Sequence, residues 1–234
     1  MLDLIEAFLK AGISENNVVT VPTEGTPQGG VVSPWLSNLV LDDLDKALES
    51  RGWRHVRYAD DFVVLCRSRE EAQDALAYVQ EVLGKLKLSL SETKTKVSDF
   101  TEGFEFLGFR FRNYRLGVRA KSIERFKDRV RTLTQRQQGR NVEAVLEDLN
   151  PVIRGWANYV GVAQVADLFS NLDCWIRMRL RAFKTKHRNT NDNWRIPSRR
   201  LKKWGLLSLQ ECRPKLRLSY VSRTIPSESE VGSL

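Results

Sequence analysis

Residues 54–67, RHVRYADDFVVLCR, place strand-forming side chains on both sides of Ala59-Asp60-Asp61. β-Branched and aromatic residues favour the extended, pleated chain, so this spacing predicts a hairpin with two adjacent carboxylates at its tip. Few arrangements tolerate that. Two carboxylates this close repel, and burying both as ions would add a desolvation cost. A divalent cation relieves both problems, and hard oxygen ligands on a rigid turn suit Mg²⁺, which keeps several waters and shares its remaining positions with phosphates. An Asp-Asp pair alone is an ordinary exposed loop feature. Here Tyr58 and Phe62-Val63-Val64-Leu65 flank it, and a sheet of such residues would mount the acids rigidly.

The surrounding pattern predicts an α+β domain. Residues 2–10 read as a short helix, and Val18–Val21 as a weak strand. Ser33 is suited to cap a helix with Pro34 at its first position, and Leu36, Leu39, Val40, Leu44, Ala47 and Leu48 recur at helical spacing up to Gly52. Ser68 and Glu71 form a capping box before Ala72, Ala75, Leu76, Val79 and Leu83. In 104–112 the phenylalanines alternate on either side of Gly108, which reads as a bulge. From Ser122 the texture turns wholly helical. One stripe runs Ile123, Phe126, Val130, Leu133. A second runs from Val142 to Leu149, is interrupted or restarted at Asn150-Pro151, and continues through Ile153, Trp156, Tyr159 and Val160. A third runs Phe169, Leu172, Ile176, Leu180, Phe183. Three amphipathic helices in series predict a small bundle, with Trp156 and Tyr159 mainly in its core. After residue 188 the pattern weakens, and the end, SESEVGSL, has the composition of a disordered tail.

Charge is unevenly shared. Residues 1–109 carry a net charge of −7 and residues 110–234 one of +16. A basic segment interleaved with Trp156, Trp175, Phe183, Trp194 and Trp204 behind an acidic one predicts a nucleic-acid grip beside a metal-binding centre; a solvated basic face is the alternative. There is no apolar run of about 18 residues, which argues against a membrane span, and no secretory leader is recognisable. Three widely spaced cysteines, Cys66, Cys174 and Cys212, with only His55 and His187 besides, disfavour both a disulfide framework and a zinc site, and suit a reduced, cytoplasmic protein.

The order of motifs resembles that of group II intron reverse transcriptases and maturases. GTPQGGVVSPWLSNLVLDDLD at 25–45, YADD at 58–61, LKLSLSETKTKV at 86–97 and FEFLGFRF at 104–111 are similar to that family's fourth to seventh polymerase blocks, and LNPVIRGWANYV at 149–160 to its thumb or maturase signature. The resemblance covers roughly residues 1–187. It implies a partial right-hand polymerase palm over 1–115 (an antiparallel sheet with helices), an all-α three-helix thumb bundle over 116–188, and a basic, partly disordered extension over 189–234. It implies RNA-directed DNA polymerase activity with Mg²⁺, deoxynucleoside triphosphates, an RNA template or intron RNA, and a DNA primer. Asp60 would be the principal metal-ligating carboxylate, with Asp61 assisting. Thr26, Pro27, Gln28, Gly29, Gly30, Tyr58 and Ala59 would line the nucleotide and template site. Lys94 would donate a proton to the leaving phosphates, or is a solvated lysine of the KTK run. Phe106, Leu107 and Gly108 would form the primer grip, or simple sheet core. Arg125, Lys127, Arg129, Arg131, Arg154, Arg177, Arg179, Arg181, Lys184 and Lys186 would contact RNA backbone. The family's first metal-binding aspartate lies upstream of the GTPQGG block, and Asp3 is the sole aspartate in residues 1–24. The expectation is therefore a truncated form whose two-metal site is completed by a carboxylate from elsewhere, such as an upstream fragment that also supplies the fingers. The alternatives are a non-catalytic RNA-binding maturase module and a related CRISPR- or defence-linked reverse transcriptase.

Overall fold

In the computed structural model, which describes residues 2–10, 13–15, 18–20, 32–186 and 192–214, the strand formers around Ala59-Asp60 pair as their alternation predicts. The chain divides into two units, Met1–Glu102 and Gly103–Leu234. It is a mixed α/β protein of small antiparallel sheets and helices.

The first unit contains helix α1 (Leu2–Lys10), a short hairpin of β1 (Ile13–Glu15) and β2 (Val18–Thr20), helix α2 (Ser33–Ser50), the hairpin of β3 (Arg54–Tyr58) and β4 (Asp61–Leu65), and helix α3 (Arg69–Lys85). Helix α2 starts one residue earlier than its Ser-Pro signal suggests. Val32 occupies the cap position, its carbonyl accepting from the Trp35 and Leu36 N–H groups, and Ser33 is already helical. At the other end Gly52, at φ +74°, lets the Gly52 and Trp53 N–H groups return to the Glu49 and Leu48 carbonyls, a double-bonded stop that satisfies orphan carbonyls. The Ser68 half of the capping box forms as expected: Ser68 Oγ accepts from the Glu71 N–H at 3.1 Å. The Glu71 carboxylate reaches past the cap residue. It accepts from the Arg67 N–H at 2.6 Å and from Trp53 Nε1 at 3.1 Å, tying the start of α3 to the entry of β3. Leu41, Leu44 and Leu48 of α2 bury against Val79, Val82 and Leu83 of α3, and Phe62 and Val64 lay the inner face of the β3–β4 hairpin on this pair.

The second unit begins with a three-stranded meander, β5 (Phe104–Phe106), β6 (Phe109–Arg112) and β7 (Arg115–Val118). Gly108 is not a bulge. Phe106 pairs with Phe109, so Leu107 (φ +48°) and Gly108 (φ +78°) form a two-residue turn of the kind that needs two left-handed residues. Helices α4 (Ala120–Leu133), α5 (Val142–Val160) and α6 (Ala166–Thr185) then share one core, in which Trp156 stacks on Phe126 at 4.2 Å between ring centroids. Asn141 caps α5, its Oδ1 accepting from the Ala144 N–H at 2.8 Å. Pro151 does not interrupt α5, which runs unbroken through it. Among the described residues, no helix is long and apolar enough to cross a membrane.

Beyond residue 191 the sequence loses visible periodicity, yet three short helices fold onto the bundle: α7 (Asp192–Arg195), α8 (Ser198–Lys203) and α9 (Leu209–Cys212). Elements of four to six residues are too short to show a helical repeat. Ile196, Leu201, Leu206 and Leu209 enter the common core. Three polar side chains clamp the segment. The buried Asp173 accepts from Ser208 Oγ at 2.6 Å and from the Leu209 N–H at 2.9 Å. Arg181 Nε donates to the Ile196 carbonyl at 2.8 Å. Asn150 donates to the Gly205 carbonyl and accepts from the Leu207 N–H.

Replacing Asp173 by Ala leaves the buried Leu209 N–H and the half-buried Ser208 hydroxyl without their acceptor. The expected loss is about 3 kcal/mol of unfolding free energy in urea, with Asp173→Asn recovering part of it. A loss under about 1 kcal/mol would show that residues 196–210 contribute little to the core.

Candidate catalytic turn and nucleic-acid surface

Register builds the first site. Tyr58 pairs with Asp61, which leaves Ala59-Asp60 as the turn. Ala59 lies at φ +55°, a left-handed conformation costing an L-residue roughly 1 kcal/mol. What holds it is Arg57. Inner positions of β3 are His55 and Arg57, not apolar residues, and Arg57 turns its fork toward α2. Its Nη2 and Nε donate to Asp45 at 2.5 and 2.8 Å, and its Nη1 donates to Asn38 Oδ1 at 2.8 Å and to the Ala59 carbonyl at 3.0 Å. His55 Nε2 lies 3.3 Å from the same Asp45 carboxylate. Asn38, Leu41, Asp45 and Leu48 form one stripe of α2, so a helix packed by leucines also carries the two acceptors that fix the turn. The Arg57 and Asp45 side chains keep only 11% and 23% of their exposure, so bulk water screens the pair weakly. The hydrogen bond from Arg57 holds the Asp45 carboxyl below its usual range, reinforced by charge attraction to Arg57 and His55.

Asp60 and Asp61 themselves are exposed, on a turn whose backbone is held from behind. Two hard carboxylates with open surroundings suit a cation that retains waters. They supply only part of a site: among the described residues there is no group of three or more His, Cys, Asp or Glu side chains able to hold a metal.

The other sequence-derived candidates fall in several places. Thr26, Pro27, Gln28, Gly29 and Gly30 lie outside the described residues. Tyr58 is exposed beside the acids, and Lys94 is exposed on a turn closed by its N–H to the Ser91 carbonyl. In the second unit Phe106 is half-buried on the inner sheet face, and Leu107-Gly108 make the turn described above. Tyr159 is not chiefly core as its helical spacing suggests. It is 53% exposed and donates its hydroxyl to the Leu107 carbonyl at 2.7 Å, pinning that turn to α5. The basic residues divide. Arg125, Arg129, Arg154 and Lys184 are exposed on the bundle. Lys127 and Arg131 pair with Glu124 and Asp128. Arg177 donates to Cys174 Sγ, and Lys186 to the Arg136 carbonyl. Arg179 donates to Thr134 and the Arg131 carbonyl, closing the end of α4. Arg181 is buried and bound to Ile196, so it is a core clamp rather than a surface contact. Sequence reasoning missed Asn38, Asp45 and Arg57. The available signal was a charged residue at an inward position of an otherwise alternating strand.

A carboxylate turn on a hairpin, followed by a basic helical bundle, fits a protein of the reverse transcriptase class, and the comparisons place the chain in it. Residues 2–111 match the family model for reverse transcriptase (RNA-dependent DNA polymerase), and residues 123–204 that for the group II intron maturase-specific domain. The chain belongs to the group II intron reverse transcriptase and maturase family. It is 31% identical over 144 residues to protein YkfC of Escherichia coli K12, covering 47% of this chain and 38% of YkfC. It is 27% identical over 191 residues to the group II intron-encoded protein LtrA of Lactococcus lactis subsp. cremoris, covering 52% of this chain and 31% of LtrA. A shorter match, 49% identical over 51 residues, joins 21% of the chain to 6% of a putative COX1/OXI3 intron 2 protein of Saccharomyces cerevisiae. The chain thus spans little more than a third of YkfC and less of LtrA.

Arg57→Met leaves Asp45 with one partner fewer and frees the Ala59 carbonyl. The expected result is amide exchange at least about tenfold faster across residues 58–62 and a loss of about 2–3 kcal/mol. The sign with pH follows from the lowered Asp45 value. Its contribution is complete above the ordinary carboxylate range and is lost as pH falls through the lowered value, so acid should mimic the variant and Asp45→Asn should flatten that limb. Unchanged exchange in Arg57→Met would mean that strand pairing alone holds the turn.

Proposed function

We propose that this chain carries the YADD half of an RNA-directed DNA polymerase of the group II intron type, together with a helical unit that grips intron or template RNA. The observation that carries the reading is the turn itself: two exposed carboxylates on a left-handed alanine whose carbonyl is held by Arg57. Asp60 and Asp61 would hold Mg²⁺, which when bound supplies the charge stabilisation of in-line nucleotidyl transfer to a primer. Arg57, Asn38 and Asp45 keep the turn in place while charge shifts at it. The Gln28 block, with Tyr58 and Ala59, would receive the incoming deoxynucleotide and template. Lys94, exposed on its turn, would reach leaving phosphates. Leu107-Gly108, pinned by Tyr159, would steady the primer strand. The exposed cations of the bundle, Arg125, Arg129, Arg154 and Lys184, would contact RNA backbone.

The remaining metal-binding carboxylate would come from polypeptide outside these 234 residues. The outer face of the β3–β4 hairpin supports this, since Val56, Tyr58 and Leu65 lie exposed on a two-stranded sheet, and such a sheet ordinarily needs a further layer or strand. Three free thiols fit a reducing, cytoplasmic setting. A second reading, a non-catalytic maturase module, draws on the absence of a third metal-ligating side chain at the turn among the described residues.

Mg²⁺-dependent primer extension on an RNA template separates the two. Extension is expected when the chain is supplied with a polypeptide carrying the upstream palm strand, and Asp60→Ala should reduce it by on the order of a thousandfold. No extension with that polypeptide or without it, with RNA binding that still weakens steeply with salt, would leave the maturase reading in its place.

A further inference from the structure

Only one end of the Asn38 amide is spent on supporting the turn. Arginine carries donors alone, so the atom that meets Arg57 Nη1 at 2.8 Å is the amide oxygen, and the Nδ2 group is left over. That contact is exposed, and among the described residues Nδ2 meets no acceptor. The same Nη1 donates to the Ala59 carbonyl at 3.0 Å, so one nitrogen spans the amide and the backbone just before Asp60. An exposed asparagine ordinarily turns about its last bond. This one turns only by dropping Arg57, so its two remaining N–H bonds hold one direction beside the turn.

Supporting the turn does not require an amide at this position. Asp45 takes Nε and Nη2 of Arg57 and supplies the opposite charge, and the Ala59 carbonyl takes Nη1. The last Nη1 hydrogen faces an exposed position, where water would serve it. Asn38 precedes Asp45 by about two helical turns and shares Nη1 with Ala59, so the amino end of α2 is the end nearer the turn. The first turn of α2 holds no acidic residue. The amino end of a helix favours anions, so α2 does not oppose a phosphate on the side where Asn38 stands.

We propose that Asn38 Nδ2 donates to a phosphate oxygen of the incoming deoxynucleoside triphosphate, and that Arg57 is the positioning residue that aims it. The inference rests on the polymerase reading above and adds to it a residue that touches substrate. On that reading Asp60 and Asp61 hold Mg²⁺, whose remaining positions phosphates share, so phosphate oxygens come to this turn. A donor already aimed needs no ordering when the nucleotide arrives. Hydrogen bonds to charged oxygens are also stronger than those between neutral groups. A lysine would bring more charge on a longer, rotatable stem, whereas a held amide gives direction.

The test uses the full chain with a saturating amount of the polypeptide carrying the upstream palm strand, and two substitutions that separate the ends of the amide. Asn38→Asp keeps an oxygen for Arg57 and removes the NH₂ group; Asn38→Ala removes both. Amide exchange across residues 58–62, read without nucleotide, is expected to stay at the parent rate in Asn38→Asp and to quicken at least about threefold in Asn38→Ala. In primer extension on an RNA template, KM for deoxynucleotide is expected to rise about tenfold in both variants, as for one lost hydrogen bond to a charged group, with KM for primer unchanged. Salt screens an exposed charge but does not restore a missing donor, so the rise in Asn38→Asp should persist from about 0.05 to about 0.3 M KCl. A parent-like KM in Asn38→Asp would make Asn38 a support for Arg57 alone, overturning the proposal and leaving the polymerase reading intact. So would a rise that vanishes with salt, which marks charge repulsion, or a rise confined to KM for primer. No extension by the parent chain with that polypeptide would remove both this proposal and the reading beneath it.

Discussion

One guanidinium links the parts of the first unit that matter. Arg57 stands on the inner face of a strand, where an apolar residue would ordinarily pack, and joins the helix α2 stripe to the carbonyl of a left-handed alanine. A two-stranded hairpin is marginal by itself, and this one has one apolar face on the helices and another exposed. Apolar contacts alone would tolerate small shifts along the strand. An inward arginine does not, because a one-residue slip would turn it outward and strand Asp45 and Asn38. Half-buried ion pairs add little net stability over well-packed apolar residues, so the gain here is position rather than energy.

The second unit uses the same device with the signs varied. Asp173, Arg181 and Asn150 each reach from a long helix to the backbone of a short segment that could not hold itself. A helix of four residues cannot repay its own nucleation, and its N–H groups need acceptors from outside. The buried carboxylate of Asp173 supplies them. Part of the basic charge of this half of the chain is therefore structural. Arg179 and Arg181 close helix ends, while Lys127 and Arg131 are paired along α4.

How much of this was legible depended on range. The β3–β4 hairpin, the capping box at Ser68 and the three long stripes were visible because alternation and helical spacing are local. Asp60 and Asp61 were visible as acids on a turn for the same reason. Gly108 was misjudged as a bulge because its partner in the turn is a leucine at positive φ, which propensity disfavours. The unbroken course of α5 through Pro151 was hidden because tertiary packing overrides the local penalty of a proline. The short helices beyond residue 191 had too few residues to show a period. Arg57 with Asp45, and Tyr159 with Leu107, span 12 and 52 residues. No local rule predicts such pairs. Their only trace is a polar side chain where the pattern asks for an apolar one.

Exposure of the two aspartates is itself informative. Buried together, two adjacent carboxylates would repel each other and carry a desolvation cost. An open turn avoids that cost, but an open turn is ordinarily loose, and loose side chains must be ordered at the moment of binding. Arg57 resolves the conflict by placing the rigid contacts beneath the turn and leaving the carboxylates in water. Ala59 is strained whether or not anything binds, and that strain is offset by hydrogen bonds already present in the folded chain. On the reading proposed above, a cation at Asp60 and Asp61 would therefore meet backbone already held in place from beneath, the condition under which fixed charges act most strongly.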